Sequence, residues 1–306
     1  MHSAAMREYV IVVAPVLAAL AVLPALYDNG MLLLNFVVFL VLAQGLNLTY
    51  GFAGYLPFGY VGFFGAGAYG FAMLVRLGGV PPLLAVAGGG AGAVLAGLLL
   101  TPLLRLQGAY FGLASLAASE AMLHLISNPA FEDLTGGPYG VKLTLPYAPR
   151  LTYGLALGIL AAVAGLVAWL RHSRFGLQLQ AARDNPLAAA MAGIDIVRGR
   201  WVVWLASAAA AGLVGAVYAW RISTFFPEAV FDINFSIFAI VFTLFGGAGT
   251  LAGPILGVLL LYGLYNALGV SAPQYFQLAY GLLIMILVLF LPQGLAALPR
   301  VWHRRG

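Results

Sequence analysis

The sequence predicts an all-α protein that crosses a membrane about ten times. Three observations carry that prediction. First, the 306 residues are 63% hydrophobic and only 8% charged, with a mean hydropathy of +1.01, whereas a soluble domain carries about 25% charged residues. So few charges cannot build a water-facing surface. Second, the apolar runs are long and continuous, unlike the short alternating segments of a membrane β-barrel. Third, the basic residues fall unevenly between those runs.

A spanning helix needs about 20 mostly apolar residues. Ten runs qualify: 9–27, 31–49, 59–77, 81–104, 109–127, 151–170, 201–222, 235–251, 254–270 and 275–291. The first is longer than the apolar region of a signal peptide, about 7–15 residues, and reads as a span. The third, eighth and ninth are glycine-rich; if they are broken or re-entrant, the count falls to eight. With the N-terminus inside, ten of the fourteen basic residues are cytoplasmic: Arg7, Arg105, five within 171–200, Arg300, Arg304 and Arg305. Arg76, Lys142, Arg150 and Arg221 are external. That is the direction of the positive-inside rule. The chain 1–306 thus reads as one transmembrane domain, with an external 128–150 loop and a cytoplasmic 171–200 segment.

Glycine clusters in 51–70 and 245–257. Gly249, Gly253 and Gly257, four apart, predict one helix face that admits close approach of another helix. Packing is the ordinary role of such residues. Gly51, Gly54 and Pro57, and Gly246, Gly247 and Pro254, sit at span ends in opposite halves, where helices can break. Interrupted segments in corresponding halves point to a transport path.

Several chemistries are absent. A Walker A loop needs a lysine directly after glycine, and the only lysine, Lys142, follows Val141. The four histidines are scattered, and no HExxH, Gly-x-Ser-x-Gly or post-strand GxGxxG occurs. The chain has no cysteine, so it has no disulfide or thiolate metal site. Glu120 and His124 lie one helical turn apart and share a face. A carboxylate deep in a bilayer costs roughly 2.5–3.5 kcal/mol on insertion scales, so it faces protein or water. Glu120 therefore serves either a path or a structural hydrogen bond. For Asn47 and Gln44, interhelical hydrogen bonding is the default.

The stretch 171–200, RHSRFGLQLQAARDNPLAAAMAGIDIVRGR, interrupts the apolar chain. Its centre has the punctuation of a short helix. Asp184 or Asn185 can cap, Pro186 suits the first helical position, and Gly193 can end the helix in the left-handed conformation. A helix of about two turns is marginal alone, so it must dock. An exposed surface of Ala188, Ala189, Ala190 and Met191, ringed by Arg183, Asp184 and Arg198, suits a groove on a cytoplasmic partner. An interfacial helix anchored on anionic lipid is the alternative.

RFGLQLQAARDNPLAAAMAGIDIVRGR resembles the cytoplasmic coupling segment of LivM-type branched-chain amino-acid ABC transporter permeases. GLNLTYGFAGYLPFGYVGFFGAGAY (45–69), ASLAASEAMLHLISNPAFEDLTGGPYGV, FFPEAVFDINFSIFAIVFTLFGGAGTLAGPILG and LPQGL (291–295) resemble further blocks of that family, in the family's order over most of the chain. Pro57 and Phe58 replace the family's usual serine, and Leu291 replaces the arginine of RPQG.

The resemblance implies an importer subunit in the bacterial inner membrane, with no cofactor of its own. Its implied partners are a homologous LivH-type permease, two cytoplasmic ATP-binding subunits that use ATP, and a periplasmic binding protein. Arg183, Asp184, Asn185, Pro186, Leu187, Ala189, Met191 and Gly193 would then couple to an ATPase. Asn47, Gly51, Gly54, Glu120, Gly246, Gly247 and Gly249 would line the path. Branched-chain amino acids are the family's usual substrate; relatives import urea, short amides or aromatic acids. The rival classes are a structural membrane scaffold and an ion-coupled transporter or channel with Glu120 and His124 as proton relay.

Overall fold

The computed structural model describes residues 2–271 together with Gly281, Leu282 and Met285. Helices dominate because lipid offers the backbone no hydrogen-bond partner, so each segment must satisfy its own N–H and C=O groups. In chain order they are α1 (His2–Leu26), α2 (Gly30–Asn47), a π-helical turn (Leu48–Phe52), α3 (Val61–Arg76), α4 (Pro82–Leu99) and a 3-10 segment (Thr101–Arg105). Then come α5 (Gly108–Ile126), a short α6 (Glu132–Thr135), α7 (Pro149–His172), α8 (Arg174–Asp184), α9 (Pro186–Met191) and α10 (Ile196–Ile222). A short α11 (Pro227–Val230), α12 (Ile233–Gly246) and α13 (Ala252–Ser271) follow. The two-residue strands β1 (Val141–Lys142) and β2 (Thr224–Phe225) pair antiparallel. They tie the loop after α5 to the end of α10.

Nine of the ten predicted spans fall on helices among the described residues. Seven helical segments are long and apolar enough to cross a membrane, with α11 and α12 counted together; Val61–Arg76 and Ala252–Ala267 are apolar but shorter. The span at 275–291 and the LPQGL run lie outside the described residues, apart from the three named above. Over the described chain, nine of the ten spans are thus helical, and the count of ten itself is not confirmed. The shortness of α3 and the early end of the eighth span have local causes. α3 measures about 24 Å at 1.5 Å per residue, under the roughly 30 Å of hydrocarbon, because the chain from Gly54 to Tyr60 is not helical. The eighth span ends at Gly246, not at 251, because Gly247 and Gly249 take φ of 111° and 79°. Gly249 consequently lies in a turn, off the helix face predicted for it with Gly253 and Gly257.

α2 is the buried axis, surrounded by α7, α10, α12 and α13. α3, α4 and α10 form a separate tight trio. A Cβ on Gly67 would overlap the carbonyl of Gly212, and one on Gly89 would stand 2.5 Å from the Gly67 oxygen. In lipid, dispersion between closely approaching backbones replaces the hydrophobic effect as the force between helices. α1 leans on α7. Glu8 pairs with Arg171 and with His172 (2.7 Å) at one end of this contact, and Tyr153 donates to the Leu20 carbonyl at 2.7 Å toward the other. α5 packs chiefly on α3.

One end of the bundle gathers the 50–58 connection, Gln107, Arg183 and Arg200 around a common cavity. The other gathers Gly30, Arg150 and Arg221, with the β1–β2 pair on the loops of that end. Arg183 and Arg200, which the charge asymmetry assigns to one side, thus lie at one end, and Arg150 and Arg221, assigned to the other, lie at the opposite end.

Candidate coupling and translocation site

Ser173 opens α8 by accepting from Gly176 N–H at 3.0 Å. Asn185 then breaks the helix with extended backbone, and its Oδ1 accepts from Ala188 N–H at 3.0 Å, capping α9. Pro186 occupies the first turn, where a missing N–H costs nothing. At the far end Gly193 N–H donates to Ala190 O at 2.9 Å and Ile194 N–H to Ala189 O at 3.0 Å, with Gly193 at φ 76°. This is a complete Schellman stop. Of the two predicted caps, Asn185 is the one used; Asp184 instead accepts from Arg183 Nε at 3.1 Å.

The exposed face of α9 differs from the sequence expectation at one position. Ala189 is 4% exposed, turned into the protein. Leu187 and Met191, at 74% and 84% exposure, carry the outward apolar surface, with Ala188 and Ala190 exposed beside them. α9 rests on α8 and α10, which fixes the side that Ala189 must occupy.

At the same end α2 gives way to the π-helical turn. Such turns recur at functional sites because they displace backbone groups from the regular ladder. Two buried amides of the last turns of α2 reach across to the connection between α12 and α13. Gln44 Nε2 donates to Leu251 O at 2.7 Å, and Asn47 Nδ2 to Thr250 O at 2.8 Å. Gly249 N–H donates to Asn47 Oδ1 at 2.7 Å. Three consecutive residues, 249 to 251, are thus clamped to α2. Thr250 shapes the turn from within, donating to Gly247 O at 2.8 Å and accepting from Gly253 N–H at 3.0 Å. Gly51 and Gly249 touch backbone to backbone: a Cβ on Gly51 would overlap Asn47 Oδ1 and lie 2.5 Å from Gly249 N. A Cβ on Gly246 would overlap the Gly253 carbonyl.

Arg183, from the last turn of α8, joins this junction. Its Nη1 donates to Gly51 O at 2.5 Å. Its Cγ lies 2.8 Å from the position of a Cβ on Gly54, and its Nη1 3.8 Å from that of one on Gly249. Gly54 has φ 78°. One arginine of the basic segment therefore contacts the first interrupted region and lies close to the second. Nearby, the Arg200 guanidinium sits 5.0 Å from the Tyr55 ring centroid. Burial pushes the Tyr55 phenol above its ordinary range, and Arg200 opposes that rise.

Asn47, Gly51, Gly54, Gly246, Gly247 and Gly249 are thus brought together with Arg183. Glu120 is not. It stands on α5, half-buried, with no hydrogen bond or ion pair among the described residues, and His124 one turn on is exposed. Sequence reasoning missed Thr250 and the inward reach of Arg183. A threonine three residues before Gly253 at a helix start is a capping signal. Nothing in the sequence marks the Arg183 contact, since its partner is a main-chain oxygen.

The sequence from 30 to 291 matches the profile of the family described as branched-chain amino acid transport system permease components. The high-affinity branched-chain amino acid transport system permease protein LivM of Escherichia coli K12 is 28% identical over 296 residues, 86% of this chain and 69% of that protein. The nucleoside ABC transporter permease protein NupC of Lactococcus lactis is 33% identical over 154 residues, 45% of this chain and 47% of its own length. A permease of the LivH type from Methanocaldococcus jannaschii is 27% identical over 145 residues, 45% of each chain. No solved structure matches significantly.

Proposed function

Because this chain belongs to the family of branched-chain amino acid transport permease components, we propose that it forms half of the membrane path of an ATP-binding-cassette importer for branched-chain amino acids. It is a multi-pass protein of the bacterial inner membrane. A LivH-type permease supplies the other half, a periplasmic binding protein delivers the substrate, and two ATP-binding subunits supply the hydrolysis. The observation that carries this reading is the contact of Arg183 with Gly51.

The outward side chains of Leu187 and Met191 seat α9 in a groove on an ATPase. When the ATPases close, α8 and α9 move as one, since a single residue, Asn185, separates them. Arg183 carries that displacement to the π-helical turn, and the Gln44 and Asn47 amides carry it on to 249–251. Both interrupted regions then shift together, which opens or closes the cytoplasmic mouth. Glu120 serves at a different depth. A carboxylate in a spanning helix costs roughly 2.5–3.5 kcal/mol in lipid, so the open side of α5 faces the second permease and the shared path.

A Met191→Glu substitution tests the coupling assignment. It changes an exposed side chain and leaves the fold intact, but places a desolvated charge in the docking groove. Binding-protein-stimulated ATP hydrolysis in proteoliposomes should fall at least about tenfold, the effect of roughly 1.4 kcal/mol, with normal membrane insertion. Wild-type stimulation would move the coupling contact elsewhere.

A further inference from the structure

α1 stands off from the bundle at its outer end and leaves a groove of about 520 Å³ against α2 and α7. Ala21 and Pro24 of α1, Leu33 of α2 and Leu157 of α7 make apolar walls, and Tyr153 lines it as well. The Tyr153–Leu20 hydrogen bond braces α1 against α7 alongside it. Two arginines line its outer rim: Arg150 at the start of α7 and Arg221 at the end of α10. Arg221 lies 4.8 Å from the Tyr147 ring centroid, and its Nη2 lies 3.5 Å from the position of a Cβ on Gly30.

Neither arginine forms an ion pair among the described residues, which include all nine acidic side chains of the chain. Asp28, in the adjacent α1–α2 connection, belongs to none of the ion pairs either. A second groove between α1 and α7, at their cytoplasmic end, differs in this respect: there Glu8 answers Arg171 and His172. At the outer end the two arginines carry no ion pair among the described residues and sit where helices α1, α2, α7 and α10 all terminate, the depth of lipid headgroups. Below it runs an apolar trough on the side of the most peripheral helix. An amphiphile with an anionic head satisfies both parts.

We propose that this groove binds an anionic phospholipid of the outer leaflet, its phosphate between Arg150 and Arg221 and an acyl chain lying against α1. Each basic residue near a membrane surface contributes about a fivefold preference for anionic lipid. Two predict about a thirtyfold preference over a zwitterionic lipid with the same chains.

The test uses the full importer complex in detergent. Retained lipid is counted by native mass spectrometry, and thermal stability is titrated with dioleoylphosphatidylglycerol, dioleoylphosphatidylcholine or inorganic phosphate. Two variants separate head from tail. The pair Arg150→Gln with Arg221→Gln removes the charge. Gly154→Leu fills the trough, and a Cβ there meets nothing within 4 Å, so the fold tolerates it. The expected result is one phosphatidylglycerol retained by the wild type in preference to phosphatidylcholine, with that preference lost in both variants. Equal retention of the two lipids overturns the proposal. So does protection by phosphate that survives Gly154→Leu, which would mark a soluble-anion site. A third overturning result is unchanged lipid preference in the arginine pair combined with weakened binding-protein docking, which would make the arginines a protein contact.

Discussion

Two glycine-dense regions of this protein look alike in sequence and differ in construction. In the α3–α4–α10 trio, glycines let backbones touch and little else happens: Gly67 abuts Gly212, and Gly89 abuts Gly67. At the junction of α2 with 247–251, glycines also allow contact, but buried amides, a turn with positive φ and an arginine from another segment converge there. Glycine content therefore marks close approach. On the coupling proposed above, the polar groups around the contact make the second region a joint and leave the first a fixed weld.

This contrast can be broken most forcefully at the weld. Gly67→Val would drive a branched side chain into the Gly212 carbonyl, and backbone cannot yield as a side-chain tip can. Overpacking costs about 1–3 kcal/mol, occasionally more, and the upper end is expected here. Thermal unfolding in detergent should show a severe loss of folded protein; near-wild-type stability would mean the trio is as adaptable as the joint.

Asn47→Leu comes next. It leaves Gly249 N–H and Thr250 C=O without their side-chain partner, at about 1–3 kcal/mol for each unsatisfied group. Stability should fall and substrate uptake should fall further, because the turn is no longer tied to α2. If uptake tracks stability alone, the clamp is only structural.

Arg183→Gln should barely move the melting temperature, since the side chain is partly exposed. It should, however, separate ATP hydrolysis from uptake, with hydrolysis persisting while transport per ATP drops several-fold. Tight coupling in this variant would remove Arg183 from the transmission route. The smallest effect on stability is expected for Glu120→Gln, which keeps hydrogen-bonding capacity and removes charge. Reduced uptake by an assembled complex would place the carboxylate in the path; unchanged uptake would remove it from the path.

Much of this architecture was legible because lipid imposes a strict rule: an apolar run of sufficient length must become a helix. The α9 punctuation was legible for a related reason, since Asn, Pro and Gly each have one favoured place in a helix. What could not be read was direction. PLAAAM has almost no contrast between its faces, so neither Ala189 nor Met191 announces its side; packing on α8 and α10 decides it. Spacing also suggested that Gly249 continues the α13 face, but capping by Thr250 starts that helix later and leaves Gly249 in the turn. The Gln44 and Asn47 clamp shows the same limit. Their burial was foreseeable, but their partners are main-chain atoms some two hundred residues away.

The Arg183 contact also bears on how this protein could be rebuilt. Its guanidinium is fitted to a bare backbone oxygen at Gly51, and its stem to the space left by Gly54. If 171–200 couples to an ATPase as proposed, it is therefore not a portable adaptor. Grafted into another permease, it would need residues 47–54 and 247–251 to travel with it. A permease engineered to accept a foreign ATPase should keep Arg183 and its receiving glycines and exchange only the outward side chains of α9.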